Sequence, residues 1–198
     1  MLSCPYCQKP VTEDALSCQS CSLTIEGAAS LLGPVPLLNR GLTDTTETLS
    51  GRERRALEGA MTRFEKIHPA SRLNIVVRSF EPEYNLATHL FWLFNTAGLS
   101  PSESQQEKNQ DILIGVDPHQ QRVALMVGYG LEPFLKKEEI VELLETARPL
   151  LGQGKLAEAL QVVIRGLHPL LQQASIQAHK ALGLSGMASV AASPGTSF

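Results

Sequence analysis

The sequence predicts an α/β protein, a mixed-sheet α/β/α sandwich preceded by a small cysteine-stapled ribbon. Stretches with apolar residues at helical spacing alternate with short β-branched runs. Two of those runs are adjacent and joined by a turn, which makes one pair antiparallel and the sheet mixed. All four cysteines fall within the first 21 residues. The chain divides into a ribbon at 1–26, a linker at 27–41, an α/β domain at 42–183 and a tail at 184–198 that composition assigns to disorder.

The cysteines stand as Cys4-Pro-Tyr-Cys7 and Cys18-Gln-Ser-Cys21, ten residues apart. Two short turns that each offer two thiolates can close a tetrahedral zinc site, and so short a segment has too little core to fold without a staple. Cys4, Cys7, Cys18 and Cys21 are therefore the expected ligands of a zinc ribbon. Four sulfurs leave no open position, so the metal is expected to be structural. Iron competes for the same donors. Two disulfides would suit an oxidising compartment, but no leader directs the chain to one, and a redox pair is normally single and set beside a βαβ unit.

In the linker, Gly33, Pro34, Pro36 and Gly41 break regular structure. Leu31, Leu32, Leu37 and Leu38 are too apolar for a solvated tether, so part of it is expected against the main domain. Ser50 stands three residues before Glu53, a capping box that opens a helix. Leu57, Ala60, Met61, Phe64 and Ile67 mark its buried face, and His68-Pro69 ends it. The basic residues from Arg52 to Arg55 are interleaved with acids and read as a solvated face.

The run from Leu73 to Phe80 reads as a buried strand, and Tyr84 to Ala97 as a helix in which His89 and Trp92 are packing residues. A polar loop is expected at 98–108. Asp111–Val116 and Arg122–Val127 form a hairpin around Asp117-Pro118, and the glycines of Gly128-Tyr-Gly-Leu-Glu132 permit a sharp exit from it. Two helices follow, one through Ile140, Leu144 and Leu151 and one through Leu156, Leu160 and Leu167, parted by Gly152-Gln-Gly154. No internal repeat is visible.

A length of 198 residues suits one core plus a small module. The net charge of -3, with one Trp and three Tyr, argues against nucleic acid and anionic membrane surfaces as partners. Lys9 is the only basic residue of the ribbon. No run approaches the roughly 20 apolar residues of a membrane-spanning helix. The N-terminus lacks a basic leader with an apolar core, so a soluble, cytoplasmic protein is expected.

Several features then agree in order. Leu42-Thr-Asp44 is followed by Leu49-Ser50, Leu73–Val77 by the hairpin, and the hairpin by Gly128-Tyr-Gly-Leu-Glu132, Leu131–Leu135 and the helix start at Gly154–Leu160. Over Leu42 to Leu171 they resemble the TPM domain family, which takes in thylakoid acid phosphatase-like and photosystem II repair factor-like proteins. The Gly-Tyr-Gly-Leu-Glu that closes the hairpin is the most specific part.

The resemblance implies two functions. Some family members are described as acid phosphatases and some bind calcium through carboxylates near the hairpin exit. Carried over, Asp44, Asp111 and Glu132 would be oxygen ligands of a hard cation such as calcium. This chain departs from the family at Gln110-Asp111, where Asn-Gly is frequent, and at Lys155, where an acid is frequent. The sequence is also expected to lack the family's usual secretory leader and C-terminal membrane segment.

No Walker loop, Gly-x-Ser-x-Gly elbow or His-Glu-x-x-His pair occurs, the five histidines are scattered, and no cysteine is left over as a nucleophile. Each carboxylate also has a structural reading: Asp44 in a turn, Asp111 at a strand entrance, Glu132 in a first helical turn. The favoured expectation is an interaction or regulatory module with an unidentified protein partner. The competing one is a calcium-dependent acid phosphatase-like hydrolase.

Overall fold

Two strands, β4 (Leu73–Val77) and β5 (Ile112–Asp117), pair in parallel and are buried along their whole length. The structure, a computed structural model, describes residues 2–12, 15–33, 38, 41–97 and 110–181. The expected tail at 184–198, the loop at 98–108 and the linker prolines lie outside the described residues. β3 (Leu42–Asp44) adds to β4 in parallel and β6 (Arg122–Val127) to β5 antiparallel, giving the order β3-β4-β5-β6. The sheet is mixed, as the hairpin pattern predicts.

Side chains alternate across this sheet with the two-residue period of a strand. On one face Ile75, Val77, Ile112, Ile114 and Val116 meet three helices, α2 (Gly51–Ile67), α4 (Lys137–Gly152) and α5 (Leu156–Ala181). On the other, Val76 and Leu113 meet α3 (Leu86–Thr96) and α1 (Ile25–Leu32), with Ala28, Leu90 and Leu93 fully buried between them. The result is an α/β/α sandwich. Ahead of it, β1 (Leu2–Ser3) and β2 (Pro10–Val11) pair antiparallel in the ribbon.

The local signals act as expected. Ser50 Oγ accepts from Glu53 N at 3.3 Å and Glu53 Oε2 accepts from Ser50 N at 2.9 Å, closing the capping box. His68 caps the other end of α2. Gly154, at φ 72°, turns the chain between α4 and α5 in a conformation that favours glycine.

Two elements were not foreseen. β3 has only three residues, too few to show a period, and exists because β4 offers it a parallel edge. Helix α1 straddles the expected boundary between ribbon and linker, so regular structure continues to Leu32. Thr24 caps it by accepting from Gly27 N at 2.9 Å, and Gly33 ends it at φ 81°. Among the described residues no helix is long and apolar enough to cross a membrane.

At the C-terminus of α2, His68 Nε2 and His168 Nδ1 of α5 lie 3.1 Å apart, and both rings pack on Phe64. Burial, then the charge of His168, lowers the His68 pKa below its ordinary 6.5. The unfolded chain thus binds its proton at higher pH than the folded one. Stability is expected to stand in full above about pH 6.5 and to decline as pH falls until folded His68 protonates. Urea titrations from pH 8 to 5 check this, and a decline unchanged by His68→Phe would place its origin elsewhere.

Two glycines separate space from propensity. A Cβ on Gly115 of β5 would overlap Leu90 Cδ2, and Leu90 is fully buried and cannot yield. A Cβ on Gly166 of α5 would overlap Leu143 Cδ1, but Leu143 is only half-buried and can rotate away. Gly115→Ala is expected to cost about 1–3 kcal/mol. Gly166→Ala should lie within about 1 kcal/mol of zero, because helix propensity offsets the crowding. Equal urea midpoints for the two variants would contradict this account.

Candidate metal centre

The two cysteine pairs lie on two knuckles with the same backbone bonding. In the first, Cys4 N donates to Lys9 O at 2.9 Å and Gln8 N to Cys4 O at 2.9 Å. In the second, Cys18 N donates to Leu23 O at 3.0 Å and Ser22 N to Cys18 O at 2.7 Å. Gln8 and Ser22 occupy equivalent places with φ 62° and 59°. A local repeat thus exists in the ribbon, carried by backbone geometry that the intervening residue types do not reveal.

This repeat brings the four sulfurs together. Cys4 Sγ is 3.7 Å from Cys21 Sγ and Cys7 Sγ 3.6 Å from Cys18 Sγ, and one ligand atom from each cysteine lies within 4.8 Å of the others. Tetrahedral Zn–S bonds of about 2.3 Å would place sulfurs about 3.8 Å apart. The donor set therefore fits a closed four-thiolate metal site, as expected from the spacing, and all four thiols are free.

Without a cation the thiols ionise unequally. N–H groups of Ser20 and Cys21 lower Cys18 to about 6, while burial, reinforced by the neighbouring sulfurs, pushes Cys21 up to about 12. Burial also raises Cys4. Four thiolates this close repel one another, so a bound dication is what makes them collectively stable.

The three carboxylates carried over from the family do not assemble in this way. Asp44 ends β3 level with Val77 and Val116, whereas Asp111 precedes Ile112 at the opposite end of β5. Five residues of strand, about 16 Å, separate the two levels. Glu132 shares the Asp111 end, since Gly128 N donates to Asp111 O at 2.9 Å and Glu132 N to Gly128 O at 3.3 Å. Register therefore places Asp44 at the sheet end opposite Asp111 and Glu132, which residue spacing alone does not reveal.

Asp44 is instead a loop organiser. Its Oδ1 accepts from Thr46 N and Thr46 Oγ1 at 3.0 and 2.7 Å, and its Oδ2 accepts from Leu49 N at 3.0 Å with Arg54 at 3.8 Å. Burial opposes its charge, but these donors outweigh it and lower the pKa. Asp117, a turn residue by its sequence context, does the same at the end of β5, accepting from Phe80 N at 2.9 Å and from His119 N and Gln120 N at 3.0 Å each. Its Asp-Pro context announced a turn, but the partner Phe80 comes from another loop.

The Asp111 end of the sheet borders a cleft of about 330 Å³ lined by His68, Ser71, Gln110, Leu131 and His179. Lys155 is exposed at the start of α5. His89 is buried with Nε2 3.1 Å from Glu81 O, a packing role as expected.

Replacing Asp44 tests its role directly. Asp44→Ala is expected to cost about 2–3 kcal/mol of stability, since it orphans several N–H donors. Its depressed pKa means that this contribution is present above the ordinary 3.8 and lost as pH falls through the lower folded value. A variant of unchanged stability that loses a calcium response seen in the parent would make Asp44 a ligand after all.

Known proteins share the architecture. The N-terminal domain of a protein from P. gingivalis aligns with a TM-score of 0.50 at 21% identity, covering 74% of this chain and 90% of its own. The N-terminal domain of a Corynebacterium glutamicum protein aligns with a TM-score of 0.52 at 13% identity, covering 81% and 88%. Similarity this low speaks to fold alone. No curated protein sequence matches the chain. The family model of the TPM domain matches residues 42–169, which takes in the whole sheet and the Gly-Tyr-Gly-Leu-Glu exit, and the chain belongs to that family.

Proposed function

We propose that this TPM-domain protein is a soluble, cytoplasmic interaction or regulatory module whose ribbon holds one structural zinc. The single observation that supports it most is the contrast between its two sets of potential ligands. Four sulfurs converge in a closed site at tetrahedral spacing, whereas the carboxylates carried over from the family are divided between opposite ends of the sheet. A closed thiolate site has no position for substrate, so its contribution is shape. Phosphoryl transfer needs a cation or cationic clamp on the phosphate oxygens beside a positioned nucleophile. Asp44, with its oxygens committed to Thr46, Leu49 and Arg54, is poorly disposed to join such a clamp. A reducing compartment keeps the four thiols available to the metal, and the protein partner docks on the rigid surface that the ribbon and sandwich present.

Metal analysis of the purified full chain is expected to find about one zinc per chain, and Cys18→Ser to lose it. Hydrolysis of p-nitrophenyl phosphate should stay at background with or without added calcium. Turnover that depends on calcium and disappears in Glu132→Gln would overturn the module and establish a hydrolase.

A further inference from the structure

Both knuckles of the ribbon are tied to the α1/α3 layer, by different routes. Pro5 and Tyr6, the residues between Cys4 and Cys7, present their carbonyls to the start of α3. Asn85 Nδ2 donates to Tyr6 O at 3.3 Å. The Thr88 hydroxyl lies 3.2 Å from Pro5 O and 2.8 Å from Asn85 Oδ1, so these acceptors share its proton. Asn85 is also the N-cap of α3, its Oδ1 accepting from Thr88 N at 2.7 Å. The same side chain therefore starts the helix and holds the ribbon.

The second knuckle continues directly into α1. Leu23, whose carbonyl accepts from Cys18 N, packs at the edge of the α1/α3 core, and Thr24 caps the helix. Ala28 of α1 is fully buried in the cluster that contains Val76, Leu90 and Trp92. One knuckle thus grips α3 through hydrogen bonds while the other positions α1 covalently. The four thiols are what join the two knuckles to each other.

We propose that metal loading of the ribbon and packing of the α1/α3 layer form one coupled equilibrium. The loaded ribbon clamps α3 under α1; emptying it releases α1 and opens the apolar face around Trp92. This rests on the zinc reading of the ribbon and adds a consequence for the sandwich. Linkage makes the coupling reciprocal, so weakening the grip on α3 must also weaken retention of the metal.

Trp92 is the only tryptophan of the chain and is 2% exposed, which makes it a built-in reporter. The test uses the full chain loaded with zinc, then stripped by a chelator. A red shift of Trp92 emission is expected, with faster amide exchange in α1 and α3 but retained protection in β4, β5 and α2. Asn85→Asp preserves the helix cap but replaces the Nδ2 donor by an oxygen facing Tyr6 O. Its equilibrium affinity for zinc, measured by competition with a chelator, should be about three- to tenfold weaker than the parent's, and the uncharged Thr88→Val should show an effect of the same sign.

Removal of zinc with Trp92 emission and α3 exchange unchanged, and variants that hold zinc as the parent does, would overturn the coupling while leaving the zinc site standing. A chain that takes up no zinc would overturn both.

Discussion

Parallel pairing of β4 with β5 is the constraint from which the sandwich is built. Both strands are buried on both faces, so each face must be covered by a helical layer. A parallel pair also requires a crossover, and the chain uses its crossovers to supply those layers. The connection from β3 to β4 carries α2 on one side, and that from β4 to β5 carries α3 on the other. The first side is completed by α4 and α5. The second has only the 11 residues of α3 from within the sandwich, and α1 completes it.

That asymmetry gives the ribbon a structural place. A small ribbon has too little apolar surface to fold by burial, so the proposed metal would supply its order. The sandwich in turn needs α1 over Trp92 and Leu90. Since α1 begins directly after the second knuckle, the four-cysteine cluster lies at the root of an element on which the sheet's second face depends. Chemistry and packing meet at Thr24, which ends the ribbon and caps the helix.

Features encoded within a few residues were legible in the sequence. The capping box at Ser50, the Asp117-Pro118 hairpin, the buried run at Leu73 and the cysteine spacing each act through neighbours in the chain. The features that were not legible depend on distant segments. β3 is a strand because β4 lies beside it, and α1 is stable because Trp92 and Leu90 receive Ala28. Similarly, Asp44 and Asp111 look equivalent as acids at strand ends. Asp44 closes its strand and Asp111 precedes its own, and in a parallel arrangement that difference places them at opposite ends of the sheet.

The same reasoning explains why Gly128-Tyr-Gly-Leu-Glu132 identifies the fold more strongly than any reaction. Gly128 N bonds Asp111 O, closing the hairpin against the start of β5, and Leu131 N returns to Gly128 O at 2.9 Å. This tight exit delivers Leu131 and Leu135 into the main core, where they are 8% and 7% exposed. Without it, the chain leaving β6 would not reach the face that α4 and α5 must cover. At the other edge, Asp44 and Asp117 fold their loops around buried carboxylates that accept backbone N–H groups. Neither Gly128 nor Gly130 has a positive φ, so the exit does not use the glycine-only backbone expected of it. The Asp44 and Asp117 carboxylates do have work in closing the sandwich, and that work accounts for their positions before any bound cation is invoked.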